Sequence, residues 1–153
     1  MEKITISSNE SVELLSNGKN LATLTGLIDT GARTTSLDES FVKENLPEAK
    51  EALEAFNAVI SEVENLEEYI TNNSSMGFAD ILEKLHDHPI IKDVQKVRSS
   101  HGLSLRPYIE LDFIIRGKSV TALCNVYDRS QMTYPLLIGR NVLKNNFIVD
   151  VAI

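Results

Sequence analysis

The sequence predicts a mainly β protein, α+β overall, in which two strand-rich parts enclose an acidic helical segment. Three observations predict this. Residues 4–28 and 94–127 carry apolar and β-branched side chains in alternating or clustered runs, broken by Asn17-Gly18 and Arg116-Gly117, as strands joined by tight turns would. Between those parts, Leu46, Ala49, Leu53, Phe56, Ile60, Val63, Leu66 and Ile70 recur in steps of mostly three and four with glutamates between them, which is the stripe of one helical face. Charge follows the same division. Asp38 to Asn72 holds ten acidic and two basic residues, −8 in all, so the remainder of a chain of net charge −7 carries +1.

In chain order, Ile4 to Ser8 and Val12 to Leu15 flank Asn9-Glu10, and Leu21 to Ile28 follows the Asn17-Gly18 turn. The opening therefore reads as a small β-meander. Leu27-Ile28-Asp29-Thr30-Gly31-Ala32 reads as a buried strand ending in a tight turn, which holds one carboxylate at the edge of the core. Asp and Gly are ordinary turn residues, so the tripeptide alone is equally read as a turn start. Thr34 to Leu37 has extended character, with hydroxyls facing a ligand or the local backbone.

One long helix is expected over 46–70, entered through Pro47 and ended by Asn72-Asn73-Ser74-Ser75. Its stripe packs on the body of the protein or on a coiled-coil partner. A shorter amphipathic piece, Phe78 to Leu85, follows Met76-Gly77. The whole is expected to be one domain, 1–153, with 39–90 as a helical insertion. The strand period returns at Asp93 to Ser99, a turn is expected at Ser100-His101-Gly102, and Leu103 to Ile115 continues with Pro107 as an irregularity. Arg116-Gly117-Lys118 turns into Val120 to Tyr127.

Near the end, Tyr134-Pro135-Leu136-Leu137-Ile138-Gly139-Arg140-Asn141-Val142-Leu143 gives a second apolar strand ending in Gly, followed by a short helical pattern. Together with the Asp-Thr-Gly-Ala segment, this resembles the retropepsins, the retroviral-type aspartic proteases. Asp29 to Ser36, Arg106-Pro107 and Asp128-Arg129-Ser130-Gln131-Met132-Thr133-Tyr134-Pro135 running into Gly139-Arg140 are more closely similar to a bacterial and phage group often labelled ATP-dependent zinc proteases, which are retropepsin-like. The likeness covers roughly residues 1–38 and 95–153.

The resemblance implies a retropepsin-like closed β-barrel and an aspartic endopeptidase acting on polypeptides. Such chemistry needs two carboxylates that share a proton, one ionised to accept a proton from water and one protonated to polarise the carbonyl. The chain has a single Asp-Thr-Gly. The resemblance therefore implies a homodimer in which Asp29 from each chain meets at a two-fold axis. Thr30 would brace the turns, Gly31 would permit close approach, Ala32 would leave room for peptide, and Ile138-Gly139 would pack beside the active-site loop. A glycine-tipped hairpin is implied as a flap; Gly102 or Gly117 qualifies, and Gly102 is preferred because Ser99 to His101 suit an exposed tip. In many retroviral enzymes an Asp two residues after the glycine pairs with the Arg of Gly-Arg-Asn. Here that position is Arg33, so Asp128, or Asp38, is expected to bridge Arg33 and Arg140, with Asp128 and Arg129 as turn-flanking surface charges the alternative. Arg106, Tyr134, Met132 and Leu105 are cleft candidates. The rival reading is a non-catalytic dimeric module that binds a peptide or an ATP-grasp ligase.

Other chemistries find little footing. A net charge of −7 disfavours nucleic acid, which calls for a basic face. His86 and His88 with a remote His101 are not a His-Glu-x-x-His metal motif and fit surface or helix-capping roles, so no metal or other cofactor is expected. No phosphate-cradling Gly-x-x-x-x-Gly-Lys loop and no Gly-x-Ser-x-Gly occurs. The single cysteine, Cys124, reads as a small core residue. With no secretory leader pattern and no apolar run near twenty residues, the expectation is no membrane and a cytoplasmic protein of a bacterial cell or phage-infected host.

Overall fold

Two turns with left-handed backbone set the strand pairings. The computed structural model describes residues 2–73, 78–100 and 102–153. Asn17 (φ 50°) and Gly18 (φ 79°) join β2 (Asn9–Ser16) to β3 (Lys19–Ile28). Arg116 (φ 50°) and Gly117 (φ 80°) join β6 (Gly102–Ile115) to β7 (Lys118–Tyr127). Two consecutive positive φ values give a turn whose twist matches that of the strands it joins.

The other elements are β1 (Ile4–Ile6), β4 (Thr35–Asp38), α1 (Glu39–Asn45), α2 (Pro47–Ser61), α3 (Leu66–Asn72), α4 (Ala79–Glu83), β5 (Asp93–Ser99), β8 (Leu136–Ile138), α5 (Arg140–Leu143) and β9 (Phe147–Val149). The main sheet runs β2-β3-β8-β4-β7-β6-β5, and β2 also pairs with β6. Six strands thus close into a ring, with β5 outside it on the free part of β6. Ile109, Leu111, Phe113 and Ile115 alternate inward along β6 and meet Val12, Leu14, Leu37 and Leu136 in the ring's core, as a period-2 strand with one buried face requires. Pro107 sits where β6 changes partners, pairing with Val94 of β5 just before Tyr108 meets Asn125 of β7.

Of the expected opening meander the β2–β3 hairpin forms and leads into Asp29, but β1 does not join it. β1 pairs in parallel with β9, Ile4 opposite Phe147, so the two ends of the chain lie together. The chain turns away after β1 because the Glu10 carboxylate accepts the Ser7 N–H (2.8 Å) and the Ser7 hydroxyl donates to the Asn9 carbonyl. Glu10 is 8% exposed and also takes two hydrogen bonds from Arg116, from Nε and Nη2, at 2.9 Å each. Burial pushes the Glu10 carboxyl up, but the Arg116 guanidinium and Ser7 together outweigh it and hold it below the usual carboxylate range.

Replacing Glu10 by Gln is therefore expected to cost about 1–2 kcal/mol near neutral pH, through lost charge-assisted hydrogen bonds. A carboxyl depressed in the folded state stabilises above its unfolded value and ceases to do so as pH falls through the folded one. The wild-type margin over Glu10→Gln should accordingly be full above about pH 4.5 and vanish in stronger acid, which urea unfolding at a series of pH values would measure.

The helical region differs from the single long helix expected over 46–70. An additional helix, α1, precedes Pro47, and the long stripe breaks between Ser61 and Leu66. Asn65 explains the break: its side chain accepts the Glu68 N–H at 3.1 Å and so starts α3 rather than continuing α2. The apolar period survives because both helices face the same body. On α2, Ala49 and Leu53 enter the ring's core while Ala52 and Phe56 enter a second cluster with Ile70, Phe78, Ile81, Val94 and Leu105. The expected break at Met76-Gly77, and residues Ser74, Ser75 and His101, lie outside the described residues. No helix among the described residues is long and apolar enough to cross a membrane.

Candidate active site

Two parallel strands deliver the loops of the site. β3 and β8 run side by side through Gly26–Leu136, Leu27–Leu137 and Ile28–Ile138, and both end where the polar motifs begin. The Asp29 N–H continues the pairing by donating to the Ile138 carbonyl at 2.9 Å. Asp29 Oδ1 then accepts the Gly31 N–H at 2.9 Å, and the Ala32 N–H donates to the Asp29 carbonyl at 3.2 Å. This is an Asx-type turn, so the turn reading and the exposed-carboxylate reading of Asp-Thr-Gly describe one structure. One carboxylate oxygen is spoken for; the residue is half-buried at the cleft.

The second motif clamps the first. The Arg140 N–H donates to the Ala32 carbonyl (2.8 Å), and Arg140 Nη1 reaches the carbonyls of Thr30 (3.2 Å) and Gly31 (3.1 Å). Gly139 is buried so tightly that a Cβ there would lie 2.5 Å from the Thr34 carbonyl carbon and oxygen. Its N–H donates to Thr35 Oγ1 (3.1 Å), whose hydroxyl donates in turn to Asn141 Oδ1 (2.9 Å). Asn141 also accepts the Thr35 N–H and donates to the Leu123 carbonyl. Thr35 and Asn141, which the sequence reading did not single out, thus lock the two loops together. Asn141 stood in the quoted motif, and only its partner across the sheet was invisible.

Asp29, Thr30, Gly31, Ala32, Gly139 and Arg140 come together in this loop pair. Arg33 turns the other way, donating from Nη2 to Gln95 Oε1 (2.8 Å) of β5. Asp128 does not bridge Arg33 and Arg140. It is exposed, and the Ser130 hydroxyl first, then the Ser130 N–H (2.9 Å), hold its carboxyl below the usual range. Asp38 accepts the backbone N–H of Arg129 (2.8 Å). The two arginines that lack the expected acid have neutral acceptors, a side-chain amide and backbone carbonyls, which also satisfy a guanidinium's fixed donors.

The loops open into a cleft of ≈ 750 Å³ whose lining includes Asp29, Gly31, Ala32, Met132 and Tyr134. The hairpin β5–β6, tipped by Gly102 (φ 104°), forms one wall through Lys96 to Ser100 and Leu103; the Gly117 hairpin does not line it. Leu105 is instead buried beneath this hairpin against the helices.

Charge in the cleft is one-sided. Arg33, Lys96, Arg98, Arg106 and Arg129 line it against a single acid, Asp29. Arg106 is 3% exposed and is aimed by Ser104 Oγ (2.9 Å from Nε), Asn125 Oδ1 (3.0 Å from Nη1) and the Tyr127 ring, 3.6 Å from its guanidinium carbon. Arg129, 6% exposed, donates from Nε to the Tyr134 carbonyl (3.0 Å). Burial lowers both guanidinium pKa values, and for Arg106 the neighbouring Arg129 lowers it further. Neither makes a salt bridge among the described residues; the carboxylates of Asp38 and Asp29 act on Arg129 in the opposite sense to burial, whereas Arg106 has tyrosines, not acids, beside it. Asn125 organises this floor, joining Arg106 to Ser36 Oγ (2.8 Å) and the Thr35 carbonyl (3.1 Å).

Cys124 is wholly buried, and burial pushes its thiol up to about 12. That leaves it protonated and inert as a nucleophile. His86 lies 3.3 Å from Asp87, exposed at the end of α4 and away from the cleft lining. Among the described residues no group of three or more His, Cys, Asp or Glu could hold a metal ion.

A family model described as RimB-like, retropepsin-like aspartic endopeptidase RimB, matches residues 7–153. Among solved structures, Lpg0085 of Legionella pneumophila, a protein of unknown function, is 17% identical with a TM-score of 0.51, covering 99% of this chain and 96% of that chain. The protease of EIAV in complex with the inhibitor HBY-793 is 12% identical, TM-score 0.48, over 95% and 92% of the two chains. Simian foamy virus (mac) protease is 13% identical, TM-score 0.40, over 88% and 89%. No curated protein matches.

Proposed function

Because the chain belongs to the RimB-like family of retropepsin-like aspartic endopeptidases, we propose that it hydrolyses peptide bonds as a homodimer whose two Asp29 carboxylates form one catalytic pair. The observation that carries this is the placement of Asp29: at the ends of two paired strands, clamped by Gly139 and Arg140, and open to a cleft of ≈ 750 Å³. Its bond from the Gly31 N–H fixes one carboxylate oxygen and leaves the other for chemistry.

Within the pair, one ionised carboxylate takes a proton from the attacking water while its protonated partner hydrogen-bonds the scissile carbonyl; the proton then passes to the leaving nitrogen. Like charges this close share a proton and titrate as a unit. Thr30 and Gly31 carry the turn, Ala32 keeps the approach open, Arg140 and Gly139 hold the loop, and Arg33 ties it to the hairpin, which serves as the flap. Asp128 has a supporting role only, stiffening the 128–130 turn. Dimerisation is supported by the β1–β9 pair, a two-stranded sheet at the chain's ends, beside which Ile148, Val151 and Ile153 are exposed by 52%, 79% and 60%. In this reading 1–153 is one domain, with 39–90 inserted into it.

The substrates are polypeptides rich in carboxylates. Arg106 is a buried cation with no salt bridge among the described residues and no acid beside it, and an acidic side chain entering the cleft would supply the missing charge. A cleft of this charge binds acidic peptides whether or not it cuts them, which is the observation favouring a non-catalytic binding module as second reading. An ATP-grasp ligase partner is not part of the proposal, since no feature of the described residues supports one. A cytoplasmic site of action accords with the free, unpaired Cys124.

A diverse peptide library read by mass spectrometry between about pH 4 and 7, the window in which a carboxylate pair holds one proton, tests the proposal. Cuts concentrated beside Asp and Glu, weakening as salt rises, are expected. No cut from folded dimer, with acidic peptides still bound, would favour the binding module.

A further inference from the structure

The wall of the cleft formed by hairpin β5–β6 is one strand layer thick, and its far side is the floor of the helical layer. Val94 of β5 and Leu105 of β6, 0% and 8% exposed, are buried in the second apolar cluster with Phe56, Ile70, Phe78 and Ile81. That cluster is separate from the core of the strand ring. Two hydrogen bonds fasten the same face: the Phe78 N–H donates to the Val94 carbonyl (2.9 Å), and Lys96 Nζ donates to the Asn73 carbonyl at the end of α3 (2.8 Å). On the other side the hairpin is held by Arg33 through Gln95, whose own Nε2 donates to Asp93 Oδ2 (2.7 Å).

A free two-stranded hairpin is only marginally stable in water. This one gains its rigidity from an apolar layer on its far face, which reaches the cleft only at Leu103. We propose that Phe56, Ile70 and Phe78 are positioning residues for substrate, acting through Val94 and Leu105 to hold hairpin β5–β6 over Asp29. The inference rests on the protease reading for its kinetic consequence but not for the mechanical coupling itself. It assigns the helical layer a task in the site: the layer sets how far the hairpin stands from the catalytic loop, and with it where the opposite face, with Val97 and Arg106, meets a bound peptide. Loosening the layer moves the peptide-binding wall while leaving the Asp29 loop, which is anchored on β8 and α5, in place.

The test is Ile70→Ala, remote from the cleft, with Ile70→Val as the milder variant should the first fail to fold. Hydrogen exchange should quicken by about tenfold or more in 94–99 and 103–106, together with α3 and α4, and stay unchanged in 109–115 and 118–127. KM for a cleaved peptide should rise about 3- to 10-fold with kcat within about twofold. Faster exchange in the helices with an unchanged hairpin overturns the proposal. So does a loss of kcat with KM unaltered. Absence of cleavage by the wild type would overturn the protease reading alone, because the exchange data report the coupling without substrate.

Discussion

Asp29→Asn is expected to lower kcat for peptide cleavage by at least about 10³-fold, with the dimer and its affinity for peptide preserved. Asparagine keeps the size of the side chain and an acceptor for the Gly31 N–H, so the turn survives. It cannot take a proton from water, and each proton transfer of this kind is worth about 10²–10⁴ in rate. A pair with one amide in each half has neither the base nor the acid, which is why the loss should exceed that of a single general base. Cleavage assays with thermal melts alongside would separate this from unfolding. A folded variant that still cuts at wild-type rate would remove Asp29 from the mechanism.

Gly139→Ala should have the next largest effect, on stability and activity together. The φ of Gly139 is −99°, ordinary for any residue, so backbone strain plays no part. Space does: the new Cβ would sit 2.5 Å from the Thr34 carbonyl carbon and oxygen and 3.0 Å from the Ala32 carbonyl oxygen. These are main-chain atoms of a loop tied down by the Arg140 N–H on Ala32 and by Asn141 on the adjoining Thr35, and they cannot yield as the tip of a side chain can. The loop must shift, breaking the bonds from Gly139 to Thr35 and from Arg140 to Ala32, Thr30 and Gly31. Overpacking of this kind costs about 1–3 kcal/mol, and a displacement near 1 Å at reacting groups costs about 10²-fold in rate. Urea unfolding and kcat measured on the same preparation would check both. A variant that matched the wild type in each would show that the two motifs are not mechanically linked.

Much of this architecture was legible in the residues. The strand runs around Asn17-Gly18 and Arg116-Gly117 announced themselves because turn chemistry and alternation agree there. Asp29 and Gly139 could be linked across a hundred residues through the resemblance of their two segments to the retropepsins, and the structure pairs the strands that each closes. Periodicity failed where one side chain outweighed it: Asn65 starts a new helix inside the run that Val63 and Leu66 continue in pattern. It also could not reveal partners distant in sequence. The β1–β9 pairing is set by the Ser7–Glu10 corner, and Arg33 finds Gln95 rather than an acid because β5 is placed beside it by the fold. The basic floor of the cleft was hidden for the same reason. Arg106 and Arg129 lie on different segments of an acidic chain, and burial without a salt bridge is a property of their packing.

The central claim is that one catalytic site is shared by two chains. Its most direct measurement mixes wild-type and Asp29→Asn chains under conditions where subunits exchange and follows peptide cleavage at constant total protein. If the carboxylates act as a pair across the dimer, activity falls as the square of the wild-type fraction, to about one quarter in an equal mixture. Activity that falls in simple proportion, to about one half, would mean that each chain works alone and would contradict the account.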